Sequence, residues 1–151
     1  EVISQIKAIA GGSGMGILAT TSRRTPVEIE ELVKNELRGY PACKFLVIAN
    51  EKNIPEAVGG ILGLSKVVVV SPESISMISE AASAGCQVIV FESKLDPRHA
   101  GFLKEMALNK YIRLSRASGI SKVYGEMLKN GAEARLLKDN VIIKEALKKV
   151  L

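Results

Sequence analysis

The sequence predicts an α/β protein: a three-layer α/β/α, Rossmann-like domain built on a mainly parallel sheet. Three observations carry this. The run Val67–Val70 is apolar and β-branched without alternation, as in a strand covered on both faces. Such runs are separated by segments with helical spacing, so strand and helix alternate along the chain. Helix-start signatures, Thr25-Pro26 and Ser71-Pro72, follow directly on strands.

Composition bounds the reading. A chain of 151 residues, 47% hydrophobic, is one ordinary domain with a core of its own, residues 1–151. No apolar run approaches the roughly 20 residues of a membrane span. Net charge is +5, with Lys138, Lys144, Lys148 and Lys149 crowded at the end. Aromatics are 4% and tryptophan is absent, so platforms for stacking bases are scarce and no nucleic-acid partner is expected. The charge suits an anionic small ligand or plain solubility. Cys43 and Cys86 each adjoin a strand and read as small buried hydrophobes of a reducing compartment, which places the chain in the cytoplasm. One histidine and two cysteines make a zinc site improbable, and no metal is expected.

Taken in order, Gln5–Ala10 reads as a first strand. Gly11-Gly-Ser-Gly-Met-Gly16 follows as a loop, either plain and flexible or a phosphate cradle; it fits neither the dinucleotide fingerprint nor the P-loop. Ile17–Thr21 is the next strand. Too few residues separate the two for a parallel crossover, so they form a hairpin or residues are missing between about 11 and 17. Thr25 and Glu28 form a capping box with Pro26 at the first helical position, and Ile29, Leu32, Val33 and Leu37 make the buried stripe. Arg23 and Arg24 precede that cap, a place suited to holding a diphosphate or carboxylate.

Lys44–Ala49 is a buried strand, followed by the loop Asn50–Pro55 and a short, glycine-broken helix over Glu56–Leu64. The organising stretch is Lys66–Gly85: strand, turn, helix. Ser71 is expected to cap, Pro72 to open the helix and Gly85 to occupy its C′ position. That puts a helix N-terminus with Ser71, Ser74 and Ser76 at the carboxyl end of a central strand, a ready anion site. Glu80 lies further along, where a carboxylate can accept from sugar hydroxyls. Common α/β packing accounts for the same features without a ligand, with Ser71 and Ser74 capping and Glu80 paired to a cation. Gln87–Phe91 is a strand, Arg98–Leu108 an amphipathic helix with His99 near its start, and Tyr111–Leu114 a short last strand. Helices follow at Ser121–Lys129 and Asn140–Leu151.

Thr20-Thr-Ser-Arg-Arg-Thr-Pro26, Asn53-Ile-Pro55, Val70–Gly85 and Val88–Phe91 closely resemble the mitochondrial-fission ELM family, from about Gln5 to Leu114. That family looks like the GT-B glycosyltransferases, in which two Rossmann-like domains face a cleft. The resemblance is to the carboxy-terminal domain, which binds the nucleotide-sugar donor, so a second Rossmann-like domain of the same protein is implied. The family pattern places a helix between the glycine-rich loop and the Thr-Thr-Ser-Arg-Arg strand, which favours missing residues there.

The resemblance implies roles by position. Gly11, Gly12 and Ser13 would face the donor diphosphate, with Ser22 and Arg23 or Arg24 approaching the same phosphates. Ser74 and Ser76 would face phosphate from the helix N-terminus, and Glu80 would bind the ribose. Asn53, Arg98 and His99 would be further donor contacts. The implied ligand is a nucleoside diphosphate or nucleotide sugar, with no resident cofactor. Catalytic residues are not assigned, and peripheral association with a membrane is left open. Glu73 and Glu80 stand one residue closer than the glutamate pair of many retaining GT-B enzymes, which weakens a reading of retaining chemistry. The alternative is a GT-B-like scaffold or adaptor that keeps the fold without catalysis.

Overall fold

The computed structural model describes residues 1–93, 97–131 and 134–137, with Pro97 and Arg98 described by backbone alone. Their order is α1 (Val2–Ser13), β1 (Ile17–Thr20), α2 (Val27–Leu37), β2 (Cys43–Val47), α3 (Ala57–Leu64), β3 (Val67–Val70), α4 (Ile75–Ser83), β4 (Gln87–Phe91), α5 (Pro97–Leu108), β5 (Ile112–Ser115) and α6 (Ile120–Lys129). Strands and helices alternate, and every strand pair is parallel. Among the described residues the strands form two ribbons, β1-β2 and β3-β4-β5. This is the three-layer, Rossmann-like α/β architecture expected of the pattern.

Side-chain alternation assigns the layers. Val70, Val88, Val90 and Ile112 point to one face of the longer ribbon, where Leu62 of α3, Ile78, Ala81 and Ala82 of α4, and Leu103 and Met106 of α5 close a buried cluster. Val67, Val69, Ile89 and Phe91 point to the other face, against Ile120, Tyr124 and Met127 of α6 and Val2 and Ile9 of α1. On the shorter ribbon, Ile17 and Ala19 pack with Ile3, Ile6 and Ala10 of α1 and with Val33 and Leu37 of α2.

Several expectations are corrected. Gln5–Ala10 is not a strand but the middle of α1. Ile3, Ile6 and Ala10 recur at helical spacing and meet β1, whereas a strand would have turned Ile3 away from the face shared by Ile6 and Ala10. Gly11, Gly12 and Ser13 are the last turn of that helix rather than a loop. Gly14 closes it at φ 69°, its N–H donating to Ala10 O. A helix therefore leads straight into β1, so the strand–strand junction that suggested missing residues does not exist.

Helix α2 starts at Val27 without a side-chain cap. Thr25 is instead turned back, its Oγ1 accepting the Ser22 N–H at 2.9 Å. The expected α2 stripe is rotated: Ile29 and Leu32 are each 48% exposed, while Glu30 is 5% exposed and Leu37 4%. Helix α4 begins at Ile75, three residues later than expected; Ser71–Ser74 form a turn closed by Ser74 N–H donating to Ser71 O at 3.1 Å. Pro72 is buried in that turn. At the other end of α4 the expectation holds. Gly85 has φ 79°, its N–H donates to Ala82 O, and Cys86 N–H donates to Ala81 O, the paired bonds of a Schellman cap. Both cysteines are unbridged. Cys86 is buried, and that burial pushes its thiol up from the ordinary range; Cys43 is half-buried. The helix expected over Asn140–Leu151 lies outside the described residues.

Candidate anion site at the carboxyl edge

Each strand is followed by a helix that returns the chain, so one edge of the fold collects the carboxyl ends of the strands. In open α/β sheets ligands bind outside that edge. Three loops build it here.

After β1, the chain turns at Ser22–Thr25. Thr25 N–H donates to Ser22 O at 3.0 Å, Arg24 N–H donates to Ser22 Oγ at 3.2 Å, and the Ser22 and Thr25 hydroxyls lie 3.2 Å apart. The turn holds its polar groups internally and projects Arg23 and Arg24 outward, both exposed. Among the described residues neither arginine is in an ion pair.

After β2, the loop carrying Asn53 runs from residue 48 to 56. Glu51 is tied back to α2 by Lys34 and Arg38. The Lys34 ammonium holds the Glu51 carboxyl below the usual carboxylate range, with Arg38 adding to it. Lys34 is raised in turn by Glu31 and Glu51. Asn53 itself is exposed.

After β3, the Ser71–Ser74 turn delivers α4. The two hydroxyls lie 3.2 Å apart, and Ser74 makes no side-chain bond to the first-turn N–H groups. Those N–H groups, at the positive end of the dipole, are therefore not capped by Ser74. Ser76 and Glu80 stand four residues apart on α4, hence on one face, and both are exposed. Glu80 lies about 7.5 Å along the axis from Ile75. Among the described residues it has no ion-pair partner. Exposed Glu73 sits in the turn, before the helix.

Topology thus puts Ser22, Arg23, Arg24, Asn53 and Ser74 just past the carboxyl ends of their strands, Ser76 in the first turn of α4 and Glu80 further along that helix. His99, half-buried, stands in the first turn of α5 after β4. Arg98 is its neighbour, with a side chain outside the described set. Gly11, Gly12 and Ser13 are not brought to this edge. They end the helix that leads into the amino end of β1, roughly 10 Å of strand from Ser22. Being the carboxyl end of a helix, that position presents the negative end of the dipole, which disfavours phosphate.

Glu30 was missed by reasoning from sequence. Its Oε1 accepts from Thr21 Oγ1 at 2.9 Å and from Asn50 Nδ2 at 3.1 Å. Thr21 Oγ1 also accepts the Ala49 N–H at 2.9 Å. One buried carboxylate thereby stitches the carboxyl ends of β1 and β2 beneath the arginines. The available signal was polar residues at corresponding positions just past two adjacent strands.

The architecture defines a Rossmann-like α/β domain. The chain matches the family model described as Mitochondrial fission ELM1 over residues 1–139, and it belongs to that family. No curated protein and no solved structure matches it. No described helix is long and apolar enough to cross a membrane.

Proposed function

We propose that the carboxyl edge binds the diphosphate of a nucleoside diphosphate or nucleotide sugar, as the donor-binding half of a GT-B-type glycosyltransferase. The observation that supports this best is a pair of exposed guanidinium groups, Arg23 and Arg24, without an ion pair among the described residues. They stand past the end of β1, as the N-terminus of α4, without a side-chain cap, stands past the end of β3. Both features supply donors suited to phosphate oxygens. Ser76 extends the phosphate contact, and Glu80 on the same face accepts from the ribose hydroxyls. Asn53, Arg98 and His99 are outlying contacts.

In this reading catalysis is electrostatic. The arginines and the helix N–H groups hold the departing nucleoside diphosphate as charge develops, while an acceptor hydroxyl attacks the anomeric carbon. The base for that hydroxyl comes from a second Rossmann-like domain facing the edge. The scaffold reading has one observation in its favour: α2 turns Ile29 and Leu32 outward, the kind of surface a protein partner covers.

Titration of nucleoside diphosphates into wild type and the Arg23→Ala/Arg24→Ala double variant, at low and high salt, tests the proposal. Wild type should bind with affinity that falls as salt rises. The double variant should bind at least about tenfold more weakly, with a flatter salt dependence. Equal affinity would remove the arginines from the site and leave the scaffold reading.

A further inference from the structure

We infer that the space between β1 and β3 is a strand position that no described residue fills, and that its occupant is one parallel β-strand joined to the amino end of α1. Four observations converge on it.

The first is the ladder. β1 has β2 as its one neighbour and β3 has β4, among the described residues. Ile17 N–H donates to Ala42 O and Thr21 N–H to Val47 O, so residues 17, 19 and 21 turn toward β2. Leu18 and Thr20 turn the other way. Lys66 O accepts from Gln87 N–H, so residues 66, 68 and 70 turn toward β4, and Val67 and Val69 turn outward. Among the described residues each of these two strands therefore offers an unused edge.

The second is the covering. Two helices bridge from one ribbon to the other, one on each face. On one face, α1 packs Ile3, Ile6 and Ala10 against β1 and Val2 and Ile9 against the cluster holding Val67 and Val69. It is fastened on both sides: Lys7 to Glu36 of α2 at 2.6 Å, and Gln5 to the hydroxyl of Ser121 of α6 at 2.6 Å. On the other face, α3 touches β1 and sends Leu62 into the cluster holding Val70. A position roofed and floored by helices is sheet interior, not a sheet edge open to solvent.

The third is handedness. α1 and α2 lie on one face, sharing a cluster over β1. Right-handed crossovers on one face step in one direction. α2 steps from β1 to β2, so α1 steps into β1 from its other side, which faces β3. The strand that feeds α1 belongs there.

The fourth is order. With that strand in place the sheet reads β2-β1-strand-β3-β4-β5, the doubly wound arrangement, its reversal falling between the added strand and β3. Val67, Val68 and Val69 remain only half-buried, although a four-valine run suits full burial.

The test appends Gln-Val-Ile-Val-Phe, a copy of β4, to Glu1 through a short Gly-Ser loop and reads amide hydrogen exchange by NMR. In the 151-residue chain, Leu18, Thr20, Val67 and Val69 should exchange rapidly while Val68 and Val70 are protected. In the extended monomer the first four should slow by roughly a hundredfold or more. A second measurement needs no extension. Val69→Pro should leave the 151-residue chain folded, since its N–H faces the open edge, whereas Val68→Pro should unfold it. Three results would overturn the inference: protection of the four amides already present in the monomeric 151-residue chain, no slowing in a folded extended chain, or protection that rises with protein concentration, which would assign the position to a second copy.

Discussion

Thr21 and Glu30 meet at 2.9 Å, hydroxyl to carboxylate, where β1 gives way to the arginine turn. The same hydroxyl accepts the N–H of buried Ala49. One threonine thus joins the end of β1, the end of β2 and the first turns of α2. Thr21→Val should cost about 1–3 kcal/mol, because it strands a buried N–H. Glu30→Ala should cost a similar amount, and Glu30→Gln less than about 1 kcal/mol, since the amide oxygen keeps an acceptor in place. Urea midpoints at constant m-value measure all three. A Glu30→Gln variant as unstable as Glu30→Ala would mean that the charge, not the acceptor, holds this corner.

Two exposed carboxylates set part of the acid response. Lys7 holds Glu36, and Lys34 with Arg38 holds Glu51, below the ordinary value of 4.5. The unfolded chain therefore takes up these protons at higher pH than the folded one. Their stabilisation is complete above the ordinary carboxylate value and is lost as pH falls through the folded values. Lys34, raised above 10.5, acts oppositely: its contribution is present below that value and fades at higher pH. The variant Glu36→Gln/Glu51→Gln should show a shallower loss of stability between about pH 5 and 3 than wild type. High salt should shrink the difference, because the pairs are exposed. Equal slopes at low salt would show that the pairs do not persist in solution.

Gly85 closes α4 in the left-handed region at φ 79°, with Leu136 Cγ 4.0 Å from where a Cβ would stand. Space is therefore adequate and the cost is conformational. Gly85→Ala should destabilise by roughly 1–2 kcal/mol, and Gly85→Asn by less, because asparagine tolerates this region. Thermal unfolding of the pair separates them. Equal losses would point to crowding by Leu136 rather than to backbone strain.

What was legible in the sequence follows from which forces are local. The strands β3 and β4 and the C′ glycine were readable, because β-branched runs and left-handed glycines act within a few residues. α1 was misread because Ile-Lys-Ala-Ile-Ala suits either period over so short a window. The decision lay in Val2 and Ile3 outside the window and in a tertiary seat on β1 and α6. The α4 start was displaced because Pro72 is buried in a turn, a packing fact no cap rule contains. Of the candidate site, the serines, arginines and Glu80 were proposed from helix starts and family resemblance. Glu30 was not, because a glutamate inside a helix reads as solvent-facing until Thr21 and Asn50 arrive from two strands.

The most direct test of the donor-site reading is isothermal titration of the folded chain, wild type and Glu80→Ala, with a panel of nucleoside diphosphates and nucleotide sugars. The account predicts saturable binding to at least one member. It also predicts at least about tenfold weaker affinity in Glu80→Ala, with the unfolding midpoint unchanged. Absence of binding to every member, or equal affinity in the two proteins, would contradict it.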